Sequence, residues 1–170
     1  MPLSRDVVPA YVRPVPSPPS VRRLPDGDRA GVREILADLP AWFGRADSNA
    51  AYVDAATRLA NYVADAPTGE RVGVLLLEQH HPSTAEVHLM AVKERWHRRG
   101  VGRALLHRVE EDARSLGTQL LTVKTLGRAH PDEGYRRTRH FYEAMGFLPL
   151  EEFDDLWPGT PCLFMAKPLR

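Results

Sequence analysis

With 170 residues, 43% of them hydrophobic, the chain is long enough for one compact domain with a substantial core. Its formal net charge of +1 provides no overall field that would demand nucleic acid or a membrane as partner. One cysteine, Cys162, excludes an internal disulfide framework and suits a reducing compartment.

Residues 1–19 carry Pro2, Pro9, Pro14, Pro16, Pro18 and Pro19, which remove backbone donors and favour polyproline II. We read this stretch as an unstructured arm or a surface strap on a single domain over residues 20–170, with a partner-binding tail as the alternative. The first residues lack the apolar core and small-residue cleavage site of a signal peptide, and the longest apolar run, residues 72–77, is too short for a bilayer. The expectation is a soluble, cytoplasmic protein.

From Ser20 onward the pattern alternates. Residues 21–24 read as a short strand, and Asp28 as the cap of a helix through Leu39. Residues 49–64 read as a second helix. Residues 71–79 and 84–92 read as strands joined by the polar turn His80-His81-Pro82-Ser83. A helix follows with Leu105, Leu106, Val109, Ala113 and Leu116 on one face. Then come a strand at 119–125, a helix at about 135–145, and strands near 147–153 and 162–167. The fold class is a mixed α/β domain in which the strands at 84–92 and 119–125 run parallel with a right-handed crossover.

The helix beginning near Gly100 opens on two glycines and a basic cluster: Arg95, His97, Arg98, Arg99 and Arg103. Cations are disfavoured at the positive end of a helix, so the cluster makes sense if that end receives an anion. Glycines allow close backbone approach, and guanidiniums fork onto phosphate oxygens. The alternative is a solvated basic loop with two turn glycines. Neither the Walker pattern nor the dinucleotide fingerprint fits: Gly102 is followed by Arg103-Ala104, and Leu105 stands where a third glycine belongs.

Residues 92–102, VKERWHRRGVG, resemble the acetyl-CoA motif of the GNAT acetyltransferases. Residues 141–147, FYEAMGF, resemble the Phe-Tyr-x-x-x-Gly-Phe signature that precedes the family's sixth strand. The two occur in the family's order and spacing. The resemblance implies a central, mostly antiparallel sheet with a splayed parallel pair, flanked by about four helices. It further implies that backbone N–H groups of Arg98, Arg99, Gly100, Val101, Gly102 and Arg103 cradle the pyrophosphate of coenzyme A, with His97 also at the cofactor. The pantetheine arm would lie along Met90, Ala91 and Val92, with Thr138 and Tyr142 nearby. His97 stands where the family has Gln or Arg, Tyr135 where it has Asn, Thr138 where it has Ala, and the link before Tyr135 is longer than usual. The longer link would reshape the acceptor pocket.

Acetyl transfer to an amine needs a neutral nucleophile, a stabilised oxyanion and a proton for the departing thiolate. By resemblance, Tyr142 is the acid and the Val92 N–H the oxyanion donor. For the base, alternation along residues 84–92 sets Glu86, His88 and Met90 on one face, and Ala85, Val87 and Leu89 on the other. Glu86 matches the family's strand glutamate, and His88 is its rival. A structural pairing of Glu86 with His88 or an arginine is the plain alternative. Trp42, Phe43, Tyr52 and Trp157 are candidates for the acceptor pocket or for core. Cys162 reads as a buried thiol, and the adjacent His80 and His81 do not make a metal site. The leading expectation is an acetyl-CoA-dependent N-acetyltransferase acting on a small-molecule or peptide amine without metal, nucleic acid or membrane. A module that senses acyl-CoA or docks on a protein without turnover is the alternative, and a homodimer is an open assembly state.

Overall fold

The computed structural model describes residues 17–169, so the predicted proline-rich arm lies outside the described residues except for its last three. In chain order the elements are β1 (Ser20–Leu24), α1 (Arg29–Ala37), α2 (Ala46–Ala55), β2 (Ala60–Asp65), β3 (Arg71–His81) and β4 (Thr84–Val92). After a short 3₁₀ turn, Glu94–Trp96, follow α3 (Val101–Ser115), β5 (Leu120–Leu126), α4 (Glu133–Ala144), β6 (Leu148–Trp157) and β7 (Thr160–Pro168). The strands form one sheet in the order β1-β2-β3-β4-β5-β7-β6. Every pairing is antiparallel except β4 with β5, as the crossover through α3 requires.

Two apolar layers enclose the sheet. Leu105, Leu106 and Val109 of α3 and Tyr142 of α4 pack on Leu75, Val87, Leu121 and Val123. On the opposite face, Val32, Ile35 and Leu36 of α1 pack on Val63, Val74, Leu76 and Leu89. Asp28 caps α1 as predicted, its carboxylate accepting from Gly31 N at 2.8 Å, but the helix ends at Ala37. Leu116, placed by periodicity on the α3 core face, lies past the end of that helix and is 67% exposed.

The predicted helix over 49–64 is half wrong. α2 stops at Ala55, and residues 60–65 are a central strand with Asn61, Tyr62, Val63 and Ala64 all buried. A strand covered on both faces loses its alternation, and its alanines then mimic a helix.

The feature that shapes the site lies in β4. Leu76 pairs with Leu89 but Leu77 pairs with Val87, so His88 is an extra residue, a bulge. Before it Ala85 and Val87 face α3; beyond it Met90 and Val92 take that side, while Leu89 and Ala91 turn toward α1. Simple alternation therefore misplaced Met90 and Leu89. The parallel pairing with β5 runs only from Thr84↔Leu120 to Val87↔Val123 and stops at the bulge. Past it β4 pairs with β3 and β5 with β7, leaving an opening between them.

Candidate active site

The opening is bounded at one end by the start of α3. Gly100 is its N-cap at φ 81°, a left-handed geometry that favours glycine, and no side chain among the described residues caps the helix. Arg98 holds φ 60°, which costs energy for a residue with a Cβ. The first turn carries no acidic residue, so the leading N–H groups of α3 face outward beside Arg98 and Arg103. Arg99 lies over the Trp96 ring at 5.3 Å, whereas Arg95 is tied to Glu70. Gly102 also has a packing part that the sequence did not suggest. A Cβ there would meet the Phe141 ring at 3.2 Å, so its bareness lets α3 and α4 approach each other.

His97 turns back toward the strand, its Nε2 lying 2.7 Å from the Val92 carbonyl oxygen; as donor it carries the proton on Nε2. The Trp42 ring meets His97 edge-on at 5.3 Å, and Tyr135 Oη donates to the Trp42 carbonyl at 2.7 Å. The segment between α1 and α2 is thus fastened to both sides of the opening. On β5, where it has left β4, the Thr125 hydroxyl is buried without a hydrogen-bond partner among the described residues.

Glu86 and His88 both lie at the bulge, but their partners differ. The Glu86 carboxylate, 9% exposed, receives Lys124 Nζ from β5 at 2.7 Å and His80 Nε2 from β3 at 3.0 Å. His88 Nδ1 stands 3.1 Å from Glu78, and its ring meets Tyr52 edge-on at 5.7 Å. Neither form of the alternative structural pair, Glu86 with His88 or with an arginine, is present among the described residues. Lys124, His80 and Glu78 were missed by sequence reasoning. Lys124 was findable, since parallel register opposite Glu86 puts residues 122 and 124 on its side of the sheet. His80 was read as a turn residue, yet β3 continues through His81.

Tyr142 is buried and packs edge-on against Phe141 and Phe147 at 5.5 and 5.4 Å. Its hydroxyl has no hydrogen-bond partner among the described residues. Burial, and then the neighbouring hydroxyls of Tyr52 and Tyr135, hold its pKa well above the ordinary range, so it stays protonated at neutral pH. Tyr52 is raised likewise by burial and by Glu86, and Tyr135 is pushed up to about 12 by burial, Tyr52 and Asp132. The glutamate and three tyrosines drawn from α2, β4 and α4 therefore share one electrostatic neighbourhood across the parted strands.

A model of the acetyltransferase (GNAT) domain matches residues 58–149, more than half of the chain. The chain belongs to the GNAT acetyltransferase family. No curated protein sequence matches it. Among solved structures, a GNAT-family acetyltransferase from Desulfovibrio desulfuricans is 21% identical with a TM-score of 0.76, covering 89% of this chain and 99% of that one. A GNAT acetyltransferase from Elizabethkingia anophelis with acetyl-CoA bound is 18% identical, TM-score 0.68, covering 89% and 98%. The ribosomal-protein-S18-alanine N-acetyltransferase from Escherichia coli is 18% identical, TM-score 0.71, covering 89% and 94%. At these identities the likeness concerns the fold: a seven-stranded mixed sheet with four α-helices, as expected for a GNAT domain.

Within this GNAT fold, three of the four aromatic candidates gather. Phe43 meets Tyr52 edge-on at 6.0 Å, and Trp42, Phe43 and Tyr52 all border the core layer under α1. Trp157 sits apart, pairing with Thr160 at the β6–β7 turn. Thr138 turns its hydroxyl onto the Gly134 carbonyl at 3.1 Å, along its own helix. Cys162 is a buried thiol whose pKa is pushed up chiefly by burial. Among the described residues, no helix is long and apolar enough to cross a membrane.

Proposed function

We propose that the protein is an acetyl-CoA-dependent N-acetyltransferase that transfers the acetyl group to a primary amine by direct attack in a ternary complex. The observation that carries this reading is the parting of β4 from β5 beyond Val87↔Val123, with the uncapped start of α3 at its end and Glu86 and Tyr142 beside it. The residues suit coenzyme A. The leading N–H groups of α3, with Arg98 and Arg103, which pair with no carboxylate among the described residues, fit a pyrophosphate, and the open edge of β4 at Met90–Val92 fits an extended amide-bearing arm. The partnerless Thr125 hydroxyl fits a polar ligand in the gap. When bound, the coenzyme supplies an activated acyl thioester.

In this reading the chain's own groups divide the proton work. Glu86, kept beside Lys124 and His80, takes the proton of the incoming ammonium. His80, 47% exposed, gives that proton a way to solvent. The Val92 N–H steadies negative charge growing on the acyl oxygen. Tyr142, still protonated at neutral pH, hands its proton to the leaving sulfur. His97 shares the Val92 carbonyl, whose second lone pair stays available. Trp42, Phe43 and Tyr52 form the wall on the acceptor side.

A screen of amines with acetyl-CoA, following free thiol, tests this. Thiol release that depends on a primary amine is expected. Tight acetyl-CoA binding with no release for any amine would overturn transfer and favour a sensor.

A further inference from the structure

On the outer flank of α4, Arg128, Arg136, Arg139, His140 and Glu143 line a cleft of about 310 Å³. A water molecule occupies about 30 Å³ in the liquid, so the cleft has room for a substantial polar group. Arg139 is its buried member, 7% exposed. Its Nη1 donates to the carbonyls of Leu126 at 3.0 Å and Gly127 at 3.1 Å, where β5 ends. Those oxygens carry only partial charge, and no carboxylate pairs with Arg139 among the described residues. Buried guanidiniums are as a rule answered by an anion, because desolvating an unpaired charge is expensive.

Both glutamates of α4 are already committed. Glu143 pairs with Arg128 at 3.0 Å, and Glu133 pairs with Arg136 at 2.5 Å and Arg137 at 3.5 Å. Among the lining residues three guanidiniums meet one carboxylate, an excess of two formal positive charges. That excess matches a dianion, and the planar forks of arginine match tetrahedral oxygens.

We propose that this cleft binds a phosphate dianion, either the free ion or a phosphomonoester, at a site separate from the start of α3. The proposal does not rest on the acetyltransferase reading.

The full chain is titrated with inorganic phosphate at constant ionic strength held by chloride, and amide ¹H–¹⁵N shifts are followed. Saturable shifts over residues 126–143 are expected. Arg128→Ala and Arg136→Ala, at exposed side chains, should each weaken phosphate by about five- to tenfold, the loss of one charge-assisted hydrogen bond. Glu143→Gln should tighten it by freeing Arg128. A phosphoserine titration shows which form is preferred: tighter binding than inorganic phosphate assigns the site to a phosphomonoester, weaker binding to the free ion. Shifts confined to residues 101–103, an equal response to chloride, or unchanged affinity in both arginine variants would overturn the proposal.

Discussion

Glu86 is held between a lysine from one neighbouring strand and a histidine from the other, and that embrace separates its two readings. A purely structural Glu86 would lose stability on substitution and spare the rate. As the general base, it should lose about 10²–10⁴-fold in turnover as Glu86→Gln, with acetyl-CoA affinity measured by calorimetry largely kept. If Glu86→Gln turns over normally while His88→Ala is dead, His88 is the base and Glu78, 3.1 Å from its Nδ1, positions it. Tyr142→Phe is the cleaner substitution. The hydroxyl has no partner among the described residues to strand, so its removal should leave the melting temperature nearly unchanged. A thiolate is a fair leaving group, so kcat should fall less than for the base, by about tenfold to a few hundredfold. A large drop in melting temperature, or a parental rate, would remove Tyr142 from the chemistry.

At the scale of elements, the contact between α3 and α4 turns on Gly102. Replacing a helix glycine with alanine ordinarily gains up to about 1 kcal/mol, but here the added Cβ presses the Phe141 ring. Overpacking of this kind costs about 1–3 kcal/mol, so Gly102→Ala should melt earlier than the parent, and Phe141→Leu in the same chain should restore most of the loss. Failure of that rescue would deny the contact its role. α3 was legible because its burial is one-sided and its glycines and arginines are local signals. β2 was not, since two-sided burial erases the period that marks a strand. The faces of β4 were half legible: Glu86 and His88 fall where alternation puts them. Met90 and Leu89 do not, because a single inserted residue is decided by the strand opposite and leaves no mark in its own stretch. The same limit hid the partners of Glu86, which are supplied by register across three strands.

The sheet as a whole is less continuous than its seven strands suggest. β1 to β4 form one leaf and β5, β7 and β6 another, and between them the backbone is stitched over Ser83–Val87 and Gln119–Val123. Pairings within each leaf are longer, as in β2–β3 and β5–β7. A seam so short is where local opening should be easiest. A ligand arm lying in the gap would act as further thread, lengthening the seam past its natural end. Acetyl-CoA should accordingly slow amide hydrogen exchange at residues 84–92 and 120–126 more than along β2, whose amides are already locked within one leaf. Uniform slowing across both leaves would mean that the two move as one. Uneven slowing would mean that this protein completes its own sheet only when it takes up its ligand.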